Sequence, residues 1–318
     1  MSVIDQPILI TGAAGFIGSN LLRKLIKKNY HVHVLLSKNS NLWRIKQLKK
    51  NSSFHFVDLE KEIEIEKIIK KIKPKTIFHL AAHGAYSYQK NKKKIKKVNF
   101  DATVSLIENC KIFGFTKFIN TGSSSEYGFR NNKMAEKDMV SPNSDYAVYK
   151  SLSSIYCQYE AIINKLPIVT LRPFHVYGPF EDQNRLIPTL IRNLHNNLVP
   201  KLVSPNISRD LIYIDDVIDV YINSCNNNKI NGEIINLASG RNIKLSKIFE
   251  VIKKEIKSDI KPTWNSMKNR DWDQEYWVAD IQKFKKLYNN KKLISLDTGI
   301  MKFYSWYKKN YKYYNAKK

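Results

Sequence analysis

Ile8-Leu-Ile-Thr-Gly-Ala-Ala-Gly-Phe-Ile-Gly18, close to the start of the chain, is the most informative segment of the sequence. Its apolar beginning predicts a buried parallel strand, and residues 16–28 predict a helix with one apolar face. Between them, glycine permits a tight turn and lets a phosphate approach the backbone, while the following helix presents free N–H groups to negative charge. This order of strand, glycine turn and helix predicts a site for the pyrophosphate of a dinucleotide.

Beyond this segment, apolar runs and amphipathic stretches alternate along the first half of the chain. Each run predicts a strand, and the stretches 62–72, 96–113 and 145–164 predict helices. Such alternation is typical of an α/β fold in which helices cover both faces of a doubly wound parallel sheet. The predicted strands are Ile8–Thr11, His31–Leu36, Phe54–Val57, Thr76–Leu80, Lys117–Asn120 and Ile168–Leu171.

The alternation becomes less regular after Arg172, where long apolar strands are fewer and loops contain Pro, Asn and Trp. We therefore predict a dinucleotide-binding domain over residues 1–172, with part of 210–238 returning to it. Residues 173–318 then form mainly a smaller C-terminal substrate-binding lobe.

The 318 residues include 54 Lys and Arg against 28 Asp and Glu, a formal charge of +26. Lysine recurs along the whole sequence without a basic motif interleaved with aromatic residues, so we expect no nucleic-acid partner. The distant cysteines Cys110, Cys157 and Cys225 predict neither a disulfide framework nor a metal site. Because the sequence has no apolar run of transmembrane length and no signal peptide, we expect a cytoplasmic protein without a membrane span.

A second signal is the segment Asp145-Tyr146-Ala-Val-Tyr149-Lys150. It follows a stretch rich in helix N-cap residues, so Tyr146 is predicted in the first turn of a helix with Lys150 on the same face. A nearby ammonium group favours the phenolate, which suits Tyr146 to exchange a proton with a sugar hydroxyl or carbonyl. Tyr149 is a rival, but the residue four positions later is Ser153, which supplies no cation.

Hydroxyl groups follow the predicted strand at 117–120, in the run Ser123-Ser-Ser-Glu-Tyr-Gly128. Ligands bind beyond the carboxyl ends of parallel strands, so a serine at this position can hydrogen-bond the reacting oxygen beside the tyrosine. The serines of this run are Ser123, Ser124 and Ser125.

Together these motifs resemble the extended short-chain dehydrogenase/reductase family, of the NAD-dependent epimerase/dehydratase type that acts on nucleotide sugars. The resemblance covers nearly the whole chain and implies a Rossmann fold. The further matching segments are Asp58-Leu59, His79-Leu-Ala-Ala82, Asn99, Arg172-Pro-Phe-His-Val-Tyr-Gly-Pro179 and Arg209-Asp-Leu-Ile-Tyr-Ile-Asp-Asp-Val217.

The resemblance implies a catalytic set of Ser123, Tyr146 and Lys150, in which Tyr146 is the acid/base and Lys150 also holds the cofactor ribose. It gives Ser123 the catalytic hydroxyl position, with Ser124 as its adjacent rival. It further implies that Arg209 grips the diphosphate of the nucleotide sugar, a task that suits a bidentate guanidinium. The other predicted substrate-binding residues are Ser124, Ser125, His175 and Arg185. The predicted cofactor-binding residues are Gly12, Gly15, Phe16, Ile17, Gly18, Ser37, Lys38, Arg44, Asp58, Leu59, Leu80, Ala81, Ala82, Asn99, Tyr146 and Lys150.

The end of the second predicted strand departs from one common pattern. A carboxylate there would bind a ribose 2′-hydroxyl, whereas this chain has Ser37 and Lys38, with Arg44 downstream and no acid between them. These hydroxyl groups and cations favour a 2′-phosphate. We therefore expect NADP as the cofactor, with NAD as the alternative.

Two other positions bear on the reaction. The 4,6-dehydratases of this family carry an acid two positions after the catalytic hydroxyl, where this chain has Ser125, and Glu126 lies one position later. A 4,6-dehydratase is therefore a lesser alternative. Many relatives carry Asn where this chain has His175, which is interpreted either as a substrate contact or as a packed histidine.

The first expectation for function is NADPH-dependent reduction of a nucleoside-diphosphate 4-keto-6-deoxyhexose at C4, for surface polysaccharide biosynthesis. The alternative is a 4-epimerase of the UDP-glucose type, which oxidises and reduces the same carbon. Two rivals from another class are a cofactor-sensing protein of the same fold, which the complete set of Ser123, Tyr146 and Lys150 disfavours, and a nucleic-acid-binding protein, which no basic and aromatic motif supports. We also expect a homodimer built on 96–113 and 145–164, whose surplus apolar residues are Val104, Ile107, Cys110, Ile155, Tyr159 and Ile162.

Overall fold

A computed structural model describes residues 3–267, 276–288 and 292–315 of the chain. Its strands are β1 Ile8–Thr11, β2 Val32–Leu36, β3 Ser52–Phe56, β4 Thr76–His79, β5 Lys117–Thr121, β6 Ile168–Pro173, β7 His175–Tyr177, β8 Ser208–Arg209, β9 Leu211–Tyr213, β10 Ile234–Leu237 and β11 Ile243–Lys244. Its α-helices are α1 Phe16–Lys27, α2 Glu62–Ile72, α3 Lys92–Lys96, α4 Ala102–Phe113, α5 Asp145–Ile163, α6 Leu186–His195, α7 Ile214–Ser224, α8 Leu245–Ile256, α9 Gln282–Leu287, α10 Leu296–Asn310 and α11 Lys312–Asn315.

The chain divides into two compact units. Unit 1 comprises Met1–Gly128, Glu136–Pro173 and Ile218–Asn236, and unit 2 comprises Phe129–Ala135, Phe174–Val217 and Leu237–Lys318. Among the described residues, no helix combines the length and the apolar composition that crossing a membrane requires.

Unit 1 is built on a seven-stranded sheet with the order β10-β6-β5-β4-β1-β2-β3. β1 pairs in parallel with β2 on one side and with β4 on the other. The chain thus runs outward from β1 to β3 and then returns to the opposite side of β1, which makes a topological switch point between β1 and β4. Ligands bind outside the carboxyl ends of the strands at such a point, and the predicted doubly wound parallel sheet is confirmed.

A core of apolar side chains fills one face of this sheet, beneath α2, α4 and α5. Ile65 and Ile69 lie one turn apart on α2 and are buried against strand residues such as Ile77 and Phe118. The amphipathic pattern of α2 therefore has its expected packing partner.

The expectation of a homodimer face on 96–113 is wrong in part. Ile107 and Cys110 are completely buried in this core, so they are not available to a second copy. On α5, in contrast, Ile155, Tyr159 and Ile162 are each about half exposed, at 52%, 51% and 50%. The homodimer itself stays a prediction, now resting on α5.

Unit 2 has two small sheets, in which β7 pairs in parallel with β9 and β8 pairs antiparallel with β11. Helix α8 packs against α6 and α10. The pairing brings His175 opposite Leu211 and Arg209 opposite Ile243, so the two small sheets fix the backbone at two of the predicted substrate-binding residues.

Candidate active site

The turn between β1 and α1 leaves no room for a side chain at Gly12 or at Gly18. Gly12 has φ +72°, and a Cβ there would lie 2.6 Å from backbone atoms of Leu80 and Ala81. A Cβ on Gly18 would lie 2.4 Å from the carbonyl oxygen of Gly12. The N–H of Gly15 bonds to that same carbonyl at 3.0 Å, and α1 begins at the next residue. This backbone cradle before a helix N-terminus fits the pyrophosphate of a dinucleotide.

A buried hydrogen-bond chain joins β1 to the residues after β4. The Thr11 hydroxyl contacts His79 Nδ1 at 2.8 Å and accepts the N–H of Ala81 at 3.1 Å. The other ring nitrogen of His79 contacts the Thr103 hydroxyl at 2.9 Å. Burial, followed by the charge of Lys150, lowers the pKa of His79 to about 3. His79 is therefore neutral, and its contacts hold the segment 80–82 beside the glycine turn.

Asn99 clamps the same loop further along. Its side chain accepts the N–H of His83 at 2.9 Å and donates to the His83 carbonyl at 2.7 Å. The side chain is completely buried. Asn99 thus shapes the loop after β4, and its predicted contact with the cofactor stays a prediction.

The ends of β2 and β3 carry the predicted adenosine-side residues. Ser37 and Lys38 are exposed in a turn in which the Ser37 hydroxyl accepts the N–H of Asn39 at 3.2 Å. Arg44 stacks on the Trp43 ring at 4.4 Å and donates to the carbonyl of Ala14 in the glycine turn, at 3.4 Å. The structure therefore brings Arg44 to the glycine turn.

After β3, Asp58 and Leu59 are half-buried. The Asp58 carboxylate accepts the N–H of Glu60 at 3.1 Å, which makes a local turn. The backbone N–H of Asp58 donates to the Glu64 carboxylate at 2.8 Å. These bonds fix the loop at the edge where the strands end.

Helix α5 presents the predicted tyrosine and lysine. It begins at Asp145, with the Ser144 hydroxyl accepting the N–H of Ala147 at 3.2 Å as the N-cap. Tyr146 lies in the first turn and is half-buried, while Lys150 is 2% exposed. Burial lowers the pKa of Lys150, and the charge of Glu126 is the largest influence that opposes this shift.

The serine run after β5 folds into a short 3-10 turn over Ser124–Tyr127, with Ser123 as its N-cap. The Ser123 hydroxyl accepts the N–H of Ser125 at 3.2 Å and is half-buried. Ser124 is buried, at 7% exposure. The more accessible position favours Ser123 over its rival Ser124, although both roles stay predictions.

Glu126 is one residue whose position the sequence left open. It is completely buried, and its two carboxylate oxygens accept from the N–H of Ser123 and from Arg172 Nη2, each at 2.7 Å. Both oxygens are thus occupied within the protein. This arrangement does not suit Glu126 to act as the acid that a 4,6-dehydratase uses on its substrate.

Unit 2 brings three predicted substrate-binding residues into one electrostatic neighbourhood. Burial, followed by the charges of Arg209 and Arg185, holds the pKa of His175 well below its usual value, so its ring is neutral. The ring meets Trp277 edge-on, with centroids 6.2 Å apart. Its Nδ1 atom is buried without a hydrogen-bond partner within the part of the chain that the structure describes.

Asp210 was not among the predicted site residues, but it organises the loops around Arg209. Its oxygens accept the N–H and the hydroxyl of Ser239, both at 2.7 Å, and the N–H of Gly240 and Ala279 at 3.0 and 3.1 Å. Four bonds to one buried carboxylate fix these segments to the end of β8. The adjacent pair Arg209-Asp210 is the sequence signal that marks this position, but its partners lie far along the chain.

The family model described as "NAD dependent epimerase/dehydratase family" matches residues 8–238 of this chain. A UDP-glucuronate 4-epimerase of Thermodesulfobacterium geofontis is 29% identical over 95% of this chain and 96% of its own length. A CDP-abequose synthase of Salmonella muenchen is 28% identical over 84% of this chain and 87% of its own length.

Solved structures agree with the sequence relatives. The UDP-glucuronic acid 4-epimerase from Bacillus cereus, in complex with UDP-glucuronic acid and NAD, superposes with a TM-score of 0.84 at 29% identity. The match covers 96% of this chain and 99% of that one. The similarity therefore extends through both units.

Proposed function

The chain belongs to the NAD dependent epimerase/dehydratase family, and we propose that it interconverts two nucleoside-diphosphate sugars that differ in configuration at C4. The observation that carries this proposal is the arrangement on α5, where Tyr146 stands one turn before the buried Lys150. Two of the relatives described above are 4-epimerases by name. They favour epimerisation over the reduction of a 4-keto-6-deoxyhexose that was the first expectation.

A bound nicotinamide dinucleotide would supply the hydride acceptor and donor for this chemistry. The glycine cradle at 12–18 would hold its pyrophosphate, and Lys150 its ribose. Tyr146 takes the proton from the C4 oxygen of the sugar and returns it, and the positive charge of Lys150 favours the phenolate that this requires. Ser123 donates a hydrogen bond to the same oxygen. Because an epimerase returns what it removes, the reaction consumes no reductant.

The substrate diphosphate is assigned to Arg209, with Arg185 as a second cation. Both charges lower the pKa of the neutral His175, which indicates a local positive potential in unit 2. Such a potential attracts the two negative charges of a diphosphate. UDP sugars are the first substrates to test, since UDP-glucuronic acid occupies the Bacillus cereus relative.

NAD is the proposed cofactor, because the family is NAD dependent and the Bacillus cereus relative holds NAD. NADP has its own supporting observation in Lys38 and Arg44, since Arg44 reaches the glycine turn at Ala14. The 2′-phosphate of NADP would find these two cations there, and residues 37–44 contain no Asp or Glu. The choice between NAD and NADP therefore does not by itself decide between an epimerase and a reductase.

The second candidate function is the NADPH-dependent reduction of a 4-keto sugar nucleotide. It is favoured by the acid-free end of β2 and by the similarity to the CDP-abequose synthase. A reductase differs from an epimerase in one measurable respect, since it consumes one equivalent of reduced cofactor for each product.

The test is incubation of the purified protein with a panel of UDP sugars and a catalytic amount of NAD, followed by proton NMR at the anomeric and C4 positions. We expect each active substrate to approach a mixture of its two C4 epimers, and Tyr146→Phe to abolish this conversion. Conversion of a 4-keto sugar nucleotide that depends on stoichiometric NADPH, without epimerisation of any UDP sugar, would instead establish the reductase.

A further inference from the structure

A cluster of histidines lies in and beside strands β2 and β3, away from the residues of the proposed active site. The cluster holds His31, His33 and His55, and the whole chain contains 7 histidines. Its second strand, β3, is the edge strand of the seven-stranded sheet. The proposed reaction uses none of these three side chains, so their grouping needs an explanation of its own.

The pairing of the two parallel strands brings the side chains together. His33 lies opposite Ser53, and Leu35 lies opposite His55. Because successive side chains along a strand alternate between the two faces of the sheet, these four residues share one face. Leu35 belongs to the core beneath α2, so the two histidines continue the same face next to a buried leucine.

His33 and His55 contact each other directly. Nδ1 of His33 lies 3.0 Å from Nε2 of His55, and the ring planes are 18° apart with their centroids 5.3 Å apart. The two nitrogens therefore face each other. Such a contact is a hydrogen bond only when one of the nitrogens carries no hydrogen, so at least one ring is neutral and presents a lone pair. Both rings are half-buried, which leaves part of each in contact with water.

His31 lies beside this pair but is engaged elsewhere. Its Nε2 contacts the Ser53 hydroxyl at 2.9 Å, and its ring meets that of His33 edge-on, with centroids 5.6 Å apart. Within the described ranges of the chain, no three His, Cys, Asp or Glu side chains are grouped so that they could hold a metal ion. The cluster therefore offers two facing nitrogens, not three.

The distance between the two facing nitrogens is close to that between two ligands of one metal ion. Zn²⁺ binds an imidazole nitrogen at about 2.0–2.1 Å, which places two such nitrogens about 3.3 Å apart at the tetrahedral angle. The observed separation of 3.0 Å is slightly shorter. Each ring has to turn by about 35° to direct its lone pair at an ion in this tetrahedral geometry, and both rings are partly exposed at the side of the sheet.

The hydrogen between the two rings has a place to go. The ring that now donates it can carry the hydrogen on its other nitrogen instead, which is the second neutral tautomer of imidazole. Two neutral rings can therefore bind an ion through these nitrogens without releasing a proton.

We propose that His33 Nδ1 and His55 Nε2 bind one divalent transition-metal ion of the Zn²⁺ and Cu²⁺ class, with water completing its coordination. Imidazole nitrogen suits these ions, whereas Mg²⁺ and Ca²⁺ prefer oxygen ligands. The ion joins the edge strand β3 to β2 and stabilises the folded protein, because it binds the folded chain more tightly than the unfolded one. No residue of the proposed active site takes part, so this inference does not rest on the proposed function.

The direct test is calorimetric titration of metal-free protein without a histidine tag, at pH 7.5, with ZnCl₂, CuCl₂ and MgCl₂. We expect one ion bound per chain, more tightly for Cu²⁺ than for Zn²⁺, and no binding of Mg²⁺. His33→Gln and His55→Gln should each weaken Zn²⁺ binding by at least about tenfold, since the loss of a supporting residue behind a ligand already costs that much. His83→Gln is the matched control, because His83 is another half-buried histidine of unit 1, and it should leave the affinity unchanged.

Nitrogen NMR of protein labelled with ¹⁵N at histidine identifies the binding atoms. Zn²⁺ should shift the signals of His33 Nδ1 and His55 Nε2, each assigned by its loss in the corresponding variant. Zn²⁺ should also raise the midpoint of urea unfolding of the parent and leave that of His55→Gln unchanged. The urea midpoints without metal show whether each variant is folded.

Three results would overturn the proposal. The first is the absence of Zn²⁺ and Cu²⁺ binding to the parent at millimolar concentration. The second is an equal Zn²⁺ affinity in the parent and in both folded variants. The third needs no variant fold, since it is a Zn²⁺-induced shift of other histidine signals of the parent while those of His33 and His55 stay in place.

Discussion

Polar residues follow the strands both at the centre of the unit 1 sheet and toward its outer edge, but they are buried at the centre and exposed toward the edge. At the centre, around the ends of β1, β4 and β5, the polar side chains of His79, Glu126 and Lys150 are buried. His79 contacts Thr11, and Glu126 pairs with Arg172. Toward the outer edge, beyond β2 and beside the edge strand β3, Ser37 and Lys38 are exposed on a turn. Packing therefore dictates the residue type at the centre, whereas solvent leaves it free at the edge.

This difference separates what the reaction needs from what selects the cofactor. A substitution at the centre disturbs buried groups, whose polar partners are then left unsatisfied. We expect such a substitution to lower stability or activity strongly. A change at the edge alters an exposed charge in high dielectric, which is worth little unless a ligand covers it. The predictions below follow that order of size.

The largest effect is expected for Tyr146→Phe at the centre. Removal of the phenol hydroxyl should lower kcat on the order of 10²–10⁴-fold, because Tyr146 is the proposed acid/base at the C4 oxygen. Cofactor affinity, measured by fluorescence titration, should change little. Tyr149→Phe is the matched control one residue before Lys150, and near-normal turnover in Tyr146→Phe with a large loss in Tyr149→Phe would exchange their roles.

Gly18→Ala should act through the cradle at the centre. Its Cβ would lie 2.4 Å from the Gly12 carbonyl oxygen, so the turn must shift, at a cost of about 1–3 kcal/mol. We expect weaker binding of the dinucleotide in calorimetry. Gly114→Ala serves as control, because Gly114 has a positive φ of +66° but no atom within 4 Å of its Cβ position. If both variants bind cofactor like the parent, the cradle is not the pyrophosphate site.

The two regions also predict different responses to acid. The pKa of His79 is lowered to about 3 by burial and then by Lys150, and that of His33 to about 4 by burial and then by His55, His31 and Lys71. Each folded value lies below the unfolded value near 6.5, so the unfolded chain binds more protons in between. The contribution of each histidine to the free energy of unfolding is therefore fully present above pH 6.5. It falls as the pH drops, by at most about 1.4 kcal/mol per pH unit for each group.

Urea unfolding at pH 5 and pH 7 separates the contributions of the two histidines. His33→Gln at the edge should flatten the pH dependence and cost little at pH 7, because His33 is half-buried. His79→Gln at the centre should destabilise the protein at both pH values, since it breaks the contacts to Thr11 and Thr103. Equal pH dependence in parent and both variants would contradict this account.

The smallest effect is expected at the exposed end of β2. Ser37→Asp places a carboxylate where a ribose 2′-hydroxyl would bind and should shift the NAD-to-NADP affinity ratio toward NAD by about tenfold, or about 1.4 kcal/mol. Ser40→Asp, three residues further along the same turn, is the control. An unchanged ratio in Ser37→Asp would remove the end of β2 from cofactor selection.

The sequence predicted those parts of the molecule that depend on the backbone or on local capping. The glycine turn was predictable because only glycine fits positions that have no space for a Cβ, and the start of α5 was predictable from its N-cap residues. The helix predicted over 96–113 proved to be α3, a π-helical segment at Lys97–Asp101 and α4. No local residue pattern marks such a segment.

Side-chain partners that are distant in sequence were not predictable. Glu126 pairs with Arg172, which lies 46 positions later, and Asp210 bonds to Ser239 and Ala279. Each pairing depends on how β5, β6 and the later loops meet in space. For the same reason Ile107 and Cys110 appeared to be surplus apolar residues, although they fill the core beneath the sheet.

The most direct measurement of the central claim follows the hydrogen atom at C4. A UDP sugar that turns over, carrying deuterium at C4, is incubated with the protein in ordinary water and its product is examined by NMR and mass spectrometry. The account predicts that the C4 epimer retains the deuterium at C4, because the same site removes and returns it. Loss of the deuterium to solvent, or its stoichiometric appearance in an added cofactor pool, would contradict the account.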